Sequence, residues 1–167
     1  MRILAVDPSL RGTGFAILEE VGGRTLCLEY SVVKNHGTLS QEGCLIAIHD
    51  ALYSAIDRHQ PTALAIEKVI FVQSYATAIV LGAARGVAVL AAAQKGLPIH
   101  EYPPKRVKQA VVGKGAASKD QVAFMIRALL GLTETPPSDA ADAIAIGLTH
   151  LRTMASPVLK VTATLGK

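Results

Sequence analysis

The sequence has no tryptophan, and its only aromatics are three phenylalanines and four tyrosines among 167 residues. It has two cysteines, Cys27 and Cys44, and no metal-ligand spacing joins them. They are expected to be reduced, buried residues of a cytoplasmic protein. Charge is sparse at 18%, against 50% hydrophobic residues, which is the composition of one folded globular domain with a sizeable core. Repeats, low-complexity stretches and linkers are lacking. The apolar run at 3–6 is too short for the core of a signal peptide. The longer run at 76–93 is rich in alanine and carries Arg85 near its centre, which costs roughly 2.5–3.5 kcal/mol on membrane-insertion scales. A buried helix is expected there.

The positive charge that is present is local. The net charge is +4 and the pI about 9.2. Between positions 95 and 127 stand Lys95, Lys105, Arg106, Lys108, Lys114, Lys119 and Arg127, opposed only by Glu101 and Asp120. That stretch accounts for the whole surplus. Clustered cations suit a phosphate backbone, and the ordinary alternative is a solvated surface.

Periodicity predicts the elements. Residues 2–6 read as a strand, 15–18 as a second, and the Gly22-Gly23 pair as a hairpin turn. Leu26, Leu28, Tyr30 and Val32 alternate with polar residues as a third strand. Leu45, Ile48, Leu52 and Ile56 recur at helical spacing before Pro61. A strand at 63–66, a helix at 75–94 and a short strand at 98–101 follow. Ser118 with Gln121 forms a capping box that opens another helix, and a last helix spans 139–151. The order βββαβαβαα predicts a mixed five-stranded α/β sheet, three strands antiparallel and the last two parallel to the first, flanked by helices.

Four carboxylates stand out in this layout. Asp7 and Glu67 each end an apolar strand, where a lone acid costs desolvation. Asp139 and Asp142 lie three apart at the start of the last helix, where capping and the helix dipole are the ordinary explanation. Acids crowded in this way repel one another unless cations lie between them. Oxygen ligands suit Mg²⁺ or Mn²⁺, and two such ions drive phosphodiester hydrolysis. A metal-dependent nuclease is the reading from residues alone.

Specific segments carry a family likeness. They are Val6-Asp7-Pro8, Gly12-Thr13-Gly14-Phe15, Ile66-Glu67, Leu81-Gly82-Ala83-Ala84-Arg85-Gly86, the run from Val107 to Gly115, and Asp139-Ala140-Ala141-Asp142-Ala143. Together they resemble RuvC-type Holliday-junction resolvases, a branch of the ribonuclease-H-like superfamily. The likeness covers a nuclease domain at 1–152 and leaves 153–167 as a tail. It implies a homodimer that binds four-way DNA junctions and nicks two opposing strands symmetrically. It further implies two Mg²⁺ or Mn²⁺ ions per site on Asp7, Glu67, Asp139 and Asp142, and branch-migration motor proteins as partners. Lys108 and Lys119 match lysines near the scissile phosphate, with Lys119 counted as catalytic. Lys105, Arg106 and Lys114 are expected backbone contacts. Phe71 and Tyr75 are candidates for a ring that stacks on an unpaired base. The small residues Gly82 and Gly86 lie on the helix that the resemblance places at the dimer interface; tight packing on the protein's own sheet is the other explanation. Ser9 stands where the family usually has glycine, and the segment 70–75 differs from the usual aromatic-led one ending in asparagine.

Two other readings remain open. One is another ribonuclease-H-like nuclease, such as one acting on RNA–DNA hybrids. The other is an actin-like nucleotide-binding protein, whose phosphate loop resembles residues 7–14 but whose fold needs two such domains and a much longer chain. His36, His49, His59, His100 and His150 show no ligand pattern and are expected to be structural.

Overall fold

A computed structural model describes residues 1–72, 74–113 and 117–155. Lys114 and the tail from position 156 lie outside the described residues. The elements are β1 (Arg2–Asp7), β2 (Gly12–Val21), β3 (Arg24–Lys34), α1 (Gln41–His59), β4 (Leu64–Glu67), α2 (Tyr75–Gln94), β5 (Ile99–Tyr102), α3 (Pro104–Val112), α4 (Lys119–Leu130) and α5 (Ser138–Ala155). The sheet runs β3-β2-β1-β4-β5. β1 is antiparallel to β2 and parallel to β4, and β4 is parallel to β5. This is the mixed sheet that the pattern predicts. Gly22 and Gly23 turn the β2–β3 hairpin with φ of 57° and 77°, a left-handed pair that glycine adopts without steric cost.

Alternation along the strands divides the core into two layers. Leu4, Val6, Ile17, Leu64 and Ile66 face α1 and α2. Ile3, Ala5, Ala16 and Leu18 face α3, α4 and α5. α5 is buried almost all round, from Ala140 to Leu151. It lies close to the sheet at Gly147, where a Cβ would fall 2.6 Å from Leu18 Cδ1 and 3.1 Å from Ala5 Cβ.

Three expectations need correction. α3 was not foreseen: Pro103-Pro104 reads as a break, yet Pro104 occupies the first turn of the helix, where its missing N–H costs nothing. α2 is not a buried helix. It is long and apolar enough to cross a bilayer by length and composition alone, but here it packs by an alanine stripe, Ala84, Ala88, Ala91 and Ala92. Ile79 and Leu90 on its other sides are exposed. Finally, only Cys44 is fully buried; Cys27 is partly buried against the core, and both are free thiols.

Candidate active site

Register places the first two acids side by side. Val6 pairs with Ile66 in the parallel β1–β4 ladder, so Asp7 and Glu67 end adjacent strands at one level. Val6 and Ile66 point toward α1 and α2, so alternation sends both carboxylates to the α5 side. There they meet the first turns of α5. Asp7, Glu67 and Asp142 line one cavity of about 210 Å³ together with Lys108 and Lys119. A second hollow of about 250 Å³ continues from Asp7 and Glu67 to Ile70 and Phe71.

Asp139 is set slightly apart. It does not line the cavity but lies over the start of β2, where a Cβ on Gly12 would fall 2.8 Å from its Oδ2. Gly14 is tighter still, since a Cβ there would fall 1.9 Å from the Asp139 carbonyl oxygen. The glycines of the Gly12-Thr13-Gly14 segment thus let α5 start directly against β2. Between them Thr13 is fully buried; its hydroxyl donates to the Ser9 carbonyl at 2.5 Å and accepts from the Ser9 N–H at 3.2 Å. This clamp holds the turn that follows Asp7. Sequence reading missed it because the contact serves the backbone and follows no periodicity.

The electrostatics are those of crowded like charges. Burial, then Asp142 and Glu67, push the Asp7 carboxyl up from 3.8 to about 7, with Lys119 opposing. Burial and then Asp142 also raise Glu67, against Lys119 and Lys108. Lys119 Nζ donates to Asp142 Oδ2 at 2.9 Å, and that hydrogen bond raises the lysine in turn. Asp7, Glu67 and Asp142 line the cavity without closing on a point: among the described residues no three acidic, histidine or cysteine side chains are grouped so as to hold an ion. The donor set still fits a hard divalent cation. It is all carboxylate, it is underneutralised, and one cation, that of Lys119, already bridges toward it.

The remaining sequence candidates fall at different distances from this cavity. Lys105 is exposed and does not line it. The Arg106 guanidinium donates to Thr153 Oγ1 on α5 at 3.1 Å and lies 5.8 Å from the centroid of the Tyr102 ring, so it is tied to the fold. Phe71 is 83% exposed on the cavity rim, and Tyr75, at the start of α2, is 92% exposed. His150 is fully buried.

Comparison with known proteins shows the family and the fold. A model of the family described as "Crossover junction endodeoxyribonuclease RuvC" matches residues 3–150. A protein of that name from Akkermansia muciniphila is 56% identical over 151 residues, 90% of each chain. One from Saccharophagus degradans is 45% identical over 154 residues, 92% of this chain and 89% of that one. Among solved structures, T. thermophilus RuvC in complex with Holliday junction substrate superposes with a TM-score of 0.86 at 35% identity, covering 92% of this chain and 94% of that one. The yeast mitochondrial Holliday junction resolvase Ydc2, at 12% identity and a TM-score of 0.64 over 90% of this chain and 79% of that one, shares the fold.

Proposed function

The chain belongs to the crossover junction endodeoxyribonuclease RuvC family, and from that premise we propose how its residues resolve a four-way junction. The observation that carries the proposal is the convergence of Asp7, Glu67 and Asp142 with Lys108 and Lys119 on one cavity. Asp7, Glu67, Asp142 and the neighbouring Asp139 would hold two Mg²⁺ or Mn²⁺ ions. Bound there, the ions supply an activated water and stabilise the departing 3′-oxygen. Asp7 would be the acid common to both ions, with Glu67 on one and Asp139 and Asp142 on the other. Lys119 pairs with Asp142; were that carboxylate to hold a cation instead, the Lys119 ammonium would be available to the scissile phosphate. Lys108, which lines the same cavity from α3, holds the same phosphate. Lys105 and Lys114 contact the DNA backbone, and removing either weakens binding uniformly across sequences.

The two-fold symmetry of a four-way junction suits a homodimer with one site per subunit. The exposed apolar sides of α2 support that assembly. Gly82 and Gly86 are open: a Cβ on either meets nothing within 4 Å, so tight packing on the protein's own sheet does not explain them. Sedimentation as a monomer together with complete paired nicking would contradict the dimer.

Cleavage assays on a four-way junction, a linear duplex and an RNA–DNA hybrid test the substrate reading. The junction alone is expected to be cut efficiently, and preferential cutting of the hybrid would overturn the reading. The exposed ring of Phe71 adds a second test. A base unpaired at the junction centre stacks on such a ring with about 1–3 kcal/mol. Phe71→Ala is therefore expected to slow cleavage about tenfold or more while leaving the melting temperature almost unchanged. Fluorescence of a base analogue at the junction centre should lose its unstacking signal. A large drop in melting temperature would instead mean that the ring supports the fold.

A further inference from the structure

Outside the acid cavity, one buried polar cluster has no part in the chemistry above. His150 of α5 is fully buried, and its Nδ1 lies 2.9 Å from the Tyr102 hydroxyl at the end of β5. The His100 ring stands edge-on at 4.7 Å between centroids. His150 Nε2 is buried with no hydrogen-bond partner among the described residues. Burial, then His100, depress this imidazole to about 4, and burial raises the Tyr102 phenol, so both groups are neutral under working conditions. A buried polar pair that leaves one nitrogen unsatisfied costs more than an apolar pair of the same shape. Its location supplies a reason for it.

Tyr102 is tied to Glu67 through the backbone. The two residues are partners in the β4–β5 ladder, and the Lys68 N–H donates to the Tyr102 carbonyl at 2.9 Å. Directly after Tyr102 comes Pro103 and then Pro104, which lines the acid cavity and opens α3 with its Lys108. The partner His150 lies on α5 eight residues beyond Asp142, about 12 Å along the axis. The buried Tyr102–His150 hydrogen bond therefore ties β5, which pairs with the strand bearing Glu67 and leads into the helix bearing Lys108, to the helix bearing Asp139 and Asp142; the Arg106–Thr153 bond between α3 and α5 is exposed. Apolar packing between these elements is non-directional and allows sliding, whereas a buried hydrogen bond sets a register.

We propose that Tyr102 and His150 are a positioning pair that sets the separation between the Glu67 wall and the Asp142 wall of the cavity. The proposal rests on the reading of those acids as metal ligands. A small cation demands near-ideal oxygen geometry, so a shift of either wall registers first as weaker metal binding.

Tyr102→Phe tests it, since the ring and its packing stay and only the hydroxyl goes. Mn²⁺ binding to the DNA-free protein is measured by paramagnetic resonance, beside junction affinity and single-turnover cleavage. The expected result is Mn²⁺ binding weakened by about tenfold, cleavage slowed by a similar factor and partly recovered at high Mn²⁺, and junction affinity changed less than about twofold. Mn²⁺ affinity at the wild-type level overturns the proposal, whatever happens to the melting temperature. His150→Gln, measured in the same way, serves as the second variant should Tyr102→Phe fold poorly. Asp7→Asn run in parallel separates the two levels. If it too binds Mn²⁺ normally, the metal-site reading itself fails; if it alone loses Mn²⁺, only the positioning claim falls.

Discussion

Asp7→Asn is expected to abolish junction cleavage, by about 10³-fold or more, and at the same time to stabilise the metal-free protein at pH 8. The two effects have one cause. Asp7 is held where burial and neighbouring acids raise it from 3.8 to about 7. A carboxyl raised in the folded state binds its proton more tightly there than in the unfolded chain. Stability is therefore full at low pH, falls as pH rises from about 4, and is lowest above about 7. Asparagine escapes that loss. The gap between 3.8 and about 7 converts to at most ~4 kcal/mol, and solvent reaching the site reduces it. The mutant's advantage in thermal melts should vanish below about pH 4. It should also shrink when Mg²⁺ is added, because a cation stabilises the ionised wild-type acid. Junction binding should persist, since it depends on cations and shape. Normal cleavage by the variant would sink the mechanism; a stability gain independent of pH would sink the electrostatic account.

Gly14→Ala should have the largest structural effect of any single methyl group added. Its Cβ would fall 1.9 Å from the Asp139 carbonyl oxygen and 2.3 Å from the carbonyl carbon, both backbone atoms that cannot swing aside. α5 must lift from β2, and it carries Asp139 and Asp142 with it. A loss of about 3 kcal/mol or more is expected, or roughly 6–12 °C in melting temperature. Cleavage should fall even where the protein remains folded. Gly82→Ala is the control: its Cβ meets nothing, and alanine favours a helix by about 1 kcal/mol, so melting should be unchanged or slightly higher. A Gly14→Ala protein with wild-type melting and cleavage would show that the close approach of α5 to β2 is dispensable.

The parts of this molecule that could be read from sequence are those with a short local signature. Asp7 and Glu67 end apolar strands, and the parallel pairing of those strands followed from the helix between them. The Ser118 and Gln121 capping box appears as expected and sets Lys119 at the first turn of α4. What escaped detection depends on distance along the chain. Gly14 sits inside β2, and its reason lies with Asp139 far along the sequence. The Tyr102–His150 bond spans 48 positions and belongs to no motif. α3 shows only Val107 and Val111 as a buried face, too few to outweigh two prolines. α2 misled for the opposite reason: when nearly every residue of a helix is small or apolar, composition cannot say which stripe is buried.

The most direct test of the central claim is the anomalous scattering of Mn²⁺ in crystals of the wild-type protein. The account predicts ions inside the cavity bounded by Asp7, Glu67 and Asp142, within about 2.0–2.3 Å of carboxylate oxygens, with Asp7 touching both ions and Lys119 withdrawn from Asp142. Manganese bound elsewhere, with the Lys119–Asp142 pair intact and the cavity acids unligated, would contradict it.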